Sequence, residues 1–538
     1  MKKWSPLAVL AAAQFLMVLD QAVMNVSISQ LVADFDTTVT VIQGVITLYS
    51  LVMAALMVTG GKIGDIVGRR RAFAVGLVIY AAGSALTAAA WSLPALGLGW
   101  SVLEGIGAAL VLPALVALIA GNYAGRDRVV AYAVIGGVAG VGIAVGPILG
   151  GWLTTDYTWR LVFVGEVVVA GAILASLRVI DEAEHEGRPP QLDWVGSALS
   201  AVGLGLVVVG ILQASTWGWL MPKDSPVEPF GFAVTPFVVA AGIGVLRAFM
   251  AWQRQRDRQG RDPLVRLELF DVPSLRAGLQ TFLAQNLILM GAFFSIPLYL
   301  QLVVGLDALE TGVRMLPVSI AMFVTSLSGS ALATRFSPRA IVRAGFVVLV
   351  VALLLLMAAI EPTLESASFA FAMTMLGIGM GLVASQLGNV VQSAVGPADR
   401  SEAGGLQWTA QQLGSSLGVA LIGAIVLTGL SATFVNQVAA DERISAEVAQ
   451  EVSVRVSGGI DFVPTDAVAD AARGAGVDDA TTEALVDSYA AAQLLALKAG
   501  LLAALALAAG ALLFTRHLPS TRPRPDADAD VELEELWR

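Results

Sequence analysis

Cysteine is absent from the 538 residues, and histidine occurs only twice, as His185 and His517, both in polar stretches. The first absence excludes disulfides, thiolate metal sites and cysteine nucleophiles, and leaves the redox compartment undefined. The second excludes a histidine metal site within the apolar runs, and with it most membrane metalloenzymes. Charge is scarce too: 14% of residues are charged and 57% hydrophobic, against roughly a quarter charged in a soluble chain. Water is not the main solvent. The formal charge of −10 arises largely from acids after residue 440 and in the tail from Asp526 to Glu535, which read as solvated faces. No Walker A sequence is present, so ATP is not the expected energy source. No cofactor, metal site or nucleic-acid partner is expected.

What remains is a succession of apolar runs. A helix crossing the hydrocarbon needs about 20 mostly apolar residues, and such runs fall near 7–29, 43–60, 72–90, 94–120, 129–153, 159–178, 192–213, 232–252, 275–303, 312–333, 339–360, 367–391, 403–430 and 490–514. The first run resembles a signal peptide but passes through Asp20 to Ser29 without a small-residue cleavage site, so it reads as a retained first span. Lysine and arginine set the orientation. One side collects Lys2, Lys3, Lys62, Arg69, Arg70, Arg71, Arg126, Arg128, Arg178, Arg188, the arginines of 254–266, Arg335, Arg339, Arg343 and Arg400. The short loops of the other side hold Arg160, Lys223 and Arg314. The expectation is a multi-pass protein of the cytoplasmic membrane with both termini cytoplasmic. The segment 431–489 holds eleven acids against Arg443, Arg455 and Arg473, with amphipathic stretches such as ERISAEVAQEV. It reads as a small extracellular cap.

Comparing the chain with itself reveals a repeat. Leu103–Val111 reads LEGIGAALV and Met375–Val383 reads MLGIGMGLV, a shift of 272. The same shift carries Asp127-Arg128 onto Asp399-Arg400 and Gly142 and Gly146 onto Gly414 and Gly418. Duplicated halves are a common way to build a transporter, because two related bundles can rock about a central site. The expected organisation is an N-terminal bundle of six spans over 1–180, two inserted spans with a linker over 181–274, a C-terminal bundle over 275–515, and an acidic cytoplasmic tail over 516–538.

Several motifs carry more specific information. Between spans 2 and 3 lies GKIGDIVGRR, with Gly61, Gly64 and Gly68 permitting a tight turn and Asp65 able to offer a carboxylate to Arg69, Arg70 or a helix N-terminus. Span 5 holds GIAVGPILGG, in which Gly142, Gly146 and Gly150 recur at every fourth position beside Pro147 and Gly151. Such a stripe lets another helix approach closely, and the proline can kink the span. Span 1 holds LDQAVMNV, with Asp20 about 13 residues into its span, or roughly 20 Å. Met17, Met24 and Ser27 share its helical face. A carboxylate so placed is costly to ionise and usually marks an ion or substrate path, or else it fixes helix packing. Glu104, with Trp100 one turn away, is near the middle of span 4, as a second proton or cation site or as the partner of a neighbouring helix. Glu166 lies nearer the outer end of span 6, as a third functional acid or else as a hydrated carboxylate. Arg314 and Lys498 snorkel to the interface, or Lys498 neutralises a buried acid. The C-terminal half offers amides instead: Gln285, Asn286, Gln301, Gln386, Asn389, Gln407, Gln411 and Gln412.

These motifs resemble the major facilitator superfamily, in particular its fourteen-helix drug:proton antiporter branch, the EmrB/QacA type, over essentially the whole chain. The resemblance implies an all-α integral membrane fold of two six-helix bundles plus two inserted helices. It implies a secondary active exporter, not an enzyme, that exchanges drug-like amphipathic or cationic compounds for protons by alternating access. Export of a lipid or an endogenous metabolite is the alternative. Partners would be a small-molecule substrate, protons and the bilayer, with the chain a monomer. Residues implied in proton coupling or substrate binding are Asp20, Glu104, Glu166, Met24, Asn25, Trp100, Gln301 and Gln411. Those implied in gating are Gly61, Gly64, Asp65, Gly68, Arg69, Arg70, Gly142, Gly146, Pro147, Gly150 and Gly151. Three departures stand out: Ile66 where the family has a basic residue, Ser101 and Glu104 where it commonly has arginine and glutamine, and Glu166 where asparagine is usual.

Overall fold

In hydrocarbon every backbone N–H and C=O must bond internally, so apolar runs of this length can only become helices. The computed structural model describes residues 2–520 apart from 25, 124, 183–190, 334, 397–399 and 457–459. Asn25, His185, Arg188, Asp399 and the acidic tail lie outside the described residues. Among the described residues thirteen helices are long and apolar enough to cross a membrane: α1 Ser5–Met24, α2 Val39–Val67, α3 Arg69–Ala88, α4 Leu93–Ile119, α5 Gly125–Asp156, α7 Trp194–Leu212, α8 Thr235–Arg258, α9 Pro273–Val303, α10 Ala308–Leu327, α11 Pro338–Ala359, α12 Ser366–Ser393, α13 Arg400–Ala440 and α14 Asp479–Phe514. The fourteenth, α6 Arg160–Ala175, has 16 residues, about 24 Å of helix. Spans 1–6 and 9–14 form the two bundles, with α7 and α8 as the insertion.

Helix ends differ from the apolar runs where polar residues continue the helical pattern. α13 runs to Ala440 and α14 starts at Asp479, so the segment between them is shorter than 431–489. It carries two helices, Ala446–Val456 and Thr465–Gly474. This cap joins the last residue of α13 to the first of α14 and marks one end of the molecule, the cap end. The other end, the terminus end, carries Lys3 and Leu518. α1 stops at Met24 instead of running to Ser29, and a short helix, Ile28–Asp34, follows it. Asp20 therefore lies about one turn from the cap-side end of α1, not mid-span.

The repeat is visible as repeated packing. A Cβ on Gly107 of α4 would stand 2.7 Å from the Gly76 carbonyl oxygen of α3, and one on Gly379 of α12 would stand 3.0 Å from that of Gly345 on α11. Gly142 and Gly146 of α5 approach Val18 and Ala22 of α1, as Gly414 and Gly418 of α13 approach Leu283 and Leu287 of α9. Equivalent helices thus meet through equivalent glycines in both halves.

The inserted α7 packs on α2 and α13, with Thr59 and Ser197 hydrogen-bonded at 2.9 Å. Its start is held by Asp193, whose side chain caps α7 by accepting from the Gly196 amide at 2.9 Å and also accepts from Trp252 and Gln253 at 3.0 and 2.8 Å. Arg256 completes the cluster at 3.6 Å. Burial by itself raises the Asp193 carboxyl, but these donors and the guanidinium outweigh it and hold it below the usual carboxylate range. Its contribution to stability is therefore full above the unfolded value of about 3.9 and is lost as pH falls through the lower folded value. Asp193→Ala is expected to lower stability toward the lower end of the about 3–5 kcal/mol for stripping one partner from a buried pair, because Arg256 keeps the Asp262 carbonyl. Thermal unfolding of the purified protein at pH 7 checks this.

Candidate ion-coupling site

Three helices of the N-terminal bundle each bring one acid to a common point. Asp20 from α1, Glu104 from α4 and Glu166 from α6 are 0%, 0% and 2% exposed. One carboxylate oxygen of each lies within 4.8 Å of the others. Each acid is anchored through its other surroundings by a neutral donor. The Trp100 indole N–H donates to Asp20 Oδ1 at 2.9 Å. Thr87 donates to Glu104 Oε1 at 3.3 Å. Tyr80 and Ser84 donate to Glu166 Oε2 at 3.2 and 3.0 Å. Asp20 Oδ2, Glu104 Oε2 and Glu166 Oε1 remain buried without a hydrogen-bond partner. Among the described residues no lysine, arginine or histidine pairs with any of the three.

Local sequence explains the convergence. Residues Gly97–Glu104 form a π-helical stretch inside α4, a widening that frequently accompanies functional sites. Both Trp100 and Glu104 belong to it. α3 comes close because of its glycines: a Cβ on Gly83 would stand 2.7 Å from Glu104 Cγ and 2.8 Å from its backbone nitrogen. That close approach brings Thr87, Ser84 and Tyr80 to the acids. Gly83→Ala is expected to force Glu104 and α4 aside at the about 1–3 kcal/mol of an overpacked core, measurable as a lowered thermal midpoint.

The site residues suggested by sequence separate into groups. Asp20, Glu104, Glu166 and Trp100 come together, with Met24 buried a turn from Asp20. Glu166 is enclosed by Tyr80 and Ser84 and is not reached by water, contrary to the expectation from its position along span 6. Gln301 lies elsewhere, at the cap end, bonded to Ser29 and donating to the Val26 carbonyl at 2.9 Å. Gln411 is half-buried; its neighbour Gln412 is the one that meets α1, accepting from Gln21 at 3.5 Å. Gln285 and Gln386 donate to the carbonyls of Met380 and Gly329 and so join helices within the C-terminal bundle. Ser101, in the position of the family's arginine, donates to the Val45 carbonyl at 2.8 Å. Arg314 and Lys498 are half-buried, and no ion pair joins either among the described residues. Tyr49, Tyr80, Ser84 and Thr87 were not singled out from sequence; the i, i+4 spacing of Tyr80 and Ser84 beside Gly76 and Gly83 was the available signal.

α5 has two working faces. Gly142, Gly146 and Gly150 take Val18, Ala22 and Val23 of α1 against them, on either side of Asp20. Gly151 and Pro147 face the other bundle, where Ala308 and Gly312 of α10 approach backbone to backbone. Other contacts between the bundles also gather in the cap-end half and at the middle. The Leu309 amide donates to Thr155 Oγ1 at 3.1 Å, Gln43 to the Val419 carbonyl at 2.7 Å, Ser416 to the Thr47 carbonyl at 3.2 Å and Ser319 to the Ile143 carbonyl at 3.2 Å. Among the described residues no hydrogen bond or ion pair joins the bundles at the terminus end. The cap end is closed. At the terminus end, Asp65 pairs with Arg69 at 3.4 Å across the corner between α2 and α3, where Gly68 has φ +102°, a value suited to glycine.

A Major Facilitator Superfamily family model matches residues 10–419. The chain is 30% identical over 447 residues to the probable actinorhodin transporter of Streptomyces coelicolor, covering 80% of this chain and 74% of that one. It is 31% identical over 441 residues to puromycin resistance protein pur8 of Streptomyces alboniger, with coverage of 80% and 83%. Multidrug efflux pump LfrA of Mycolicibacterium smegmatis is 28% identical over 426 residues, with coverage of 79% and 81%. Among solved structures, a bacterial homologue of the human lysosomal transporter Spinster superposes with a TM-score of 0.63 at 16% identity, over 97% of this chain and 99% of that chain. At that identity the likeness concerns the fold.

Proposed function

The chain belongs to the Major Facilitator Superfamily and is a multi-pass membrane transporter, and from that premise we propose that it exports drug-like amphipathic or cationic compounds in exchange for protons by alternating access. The observation that carries this reading is the acid trio, fully buried and without a basic partner among the described residues, with Asp20 on α1, the helix that α5 grips. Ionised acids in such a place demand a compensating positive charge. A proton or a cationic substrate can each supply it, and neither leaves room for the other's charge. That competition is the exchange.

In the cycle, protons arriving from the cap side neutralise the trio, Asp20 included, and weaken the hold on a cationic substrate. With the terminus end open, the acids release their protons and capture the next substrate. Because α5 touches α1 on one face and α10 on the other, a small shift of α1 around Asp20 reaches the contact between the bundles. Gly61, Gly64, Gly68, Asp65, Arg69 and Arg70 act at the opposite end, where the bundles close in the other half of the cycle. The similar proteins are named for export of, or resistance to, antibiotics and drugs, which supports the choice of substrate class.

Proteoliposomes with an imposed pH gradient, screened with cationic dyes and antibiotics, test the reading. Gradient-dependent movement of at least one compound is expected, and no movement of any would shift the assignment to a lipid or endogenous metabolite.

A further inference from the structure

We propose that the space between Asp20, Glu104, Glu166 and Tyr49 is a binding site for a divalent, oxygen-seeking cation. The inference does not rest on the exporter reading. It begins with spacing: oxygens of the three acids lie within 4.8 Å of one another, a span that a single cation bridges with bonds of about 2.3–2.6 Å. Asp20 Oδ2, Glu104 Oε2 and Glu166 Oε1 are all left without a partner. Three carboxylates carry a charge that no side chain among the described residues neutralises.

Tyr49 is the independent observation. It is 2% exposed, its ring is stacked on Trp100 with centroids 5.5 Å apart, and it comes from α2, which contributes no acid. Its hydroxyl lies against Asp20 and within electrostatic reach of Glu104 and Glu166, yet makes no hydrogen bond of normal geometry. A buried hydroxyl without a partner is costly, and as a fourth oxygen facing three acids it completes a cation shell from a fourth helix. The donor set contains oxygen only. With no nitrogen or sulfur ligand, it matches Mg²⁺, Ca²⁺ or Mn²⁺ and not the softer transition metals. A divalent ion would neutralise two of the three charges, and one proton the third.

The test uses the full-length protein in detergent, stripped with chelator and titrated with Mn²⁺ under electron paramagnetic resonance, where bound ion disappears from the free six-line signal. Wild type is expected to bind one Mn²⁺ per chain. A Glu104→Gln/Glu166→Gln double variant should lose it, and Tyr49→Phe should weaken it by about tenfold or more. A cap variant, Asp478→Asn/Asp479→Asn, removes surface acids and should bind as wild type does. Mn²⁺ should also raise the thermal midpoint of wild type, a readout independent of whether the double variant folds. Absence of binding to wild type, or binding that survives in the double variant and disappears in the cap variant, would overturn the proposal. Mn²⁺ binding without pH-driven efflux of any screened compound would leave the site standing and remove the drug-export reading; efflux without Mn²⁺ binding would do the reverse.

Discussion

Asp20→Asn is expected to abolish pH-driven efflux while leaving the protein folded. The amide keeps the shape of the carboxyl and an oxygen to accept the Trp100 indole N–H, a bond of 2.9 Å in the structure. What it removes is the negative charge and the ability to take up a proton. The packing of α5 on Val18, Ala22 and Val23 does not involve the carboxyl and should persist. If proton and substrate compete through this group, the substitution removes most of the roughly 5–150-fold by which one ligand commonly alters the affinity of another. Dye efflux from proteoliposomes should then become insensitive to the imposed gradient, with a thermal midpoint near that of wild type. Glu104→Gln and Glu166→Gln should each reduce the gradient dependence less, since either leaves two acids in the site.

The second large effect is expected at the bundle contact. Gly151→Val places a branched side chain against the backbone of Ala308 and Leu309, where α5 and α10 meet in this structure and, on the alternating-access proposal, part when the cap end opens. A penalty of about 1–3 kcal/mol confined to the cap-closed state shifts the population by about 5- to 150-fold. The absence of cysteine makes the readout simple. Gln301, 7% exposed in the closed cap-end contact, can be replaced by cysteine as the single thiol. Its labelling by a membrane-impermeant maleimide should be strongly faster in the Gly151→Val background. Equal labelling rates in the two backgrounds would mean that α5 and α10 do not form the closing contact.

Much of the fold was legible because the bilayer leaves little choice. The apolar runs located the thirteen long spans and the shorter α6, and the shift of 272 that relates Gly107 to Gly379 reappears as equivalent close packing of α4 on α3 and of α12 on α11. The ends were less legible. α13 and α14 continue well past their apolar runs, because an alanine-rich amphipathic helix needs no membrane to persist once packed on its neighbours. The site was readable residue by residue but not as a constellation. Asp20 and Glu104 were conspicuous as acids at membrane depth. Nothing in the spacing of three separate helices said that Glu166 would join them, and its place along a short α6 suggested hydration instead. The π-helical stretch that holds Trp100 and Glu104 leaves no periodic signature, although Gly97 and Gly99 hint at it. Gln301 stood out as a polar residue in an apolar span, yet its partners Ser29 and Val26 belong to the closed cap end, a relation that only the fold reveals.

The central claim is that substrate and protons exchange at one buried acid trio. It can be measured directly as proton release when a transported cationic compound is added to the purified protein in weakly buffered detergent solution. Release that scales with the amount of protein, and that disappears in Asp20→Asn/Glu104→Gln/Glu166→Gln, is the expected result. Substrate binding without proton release in wild type, or release undiminished in the triple variant, would contradict it.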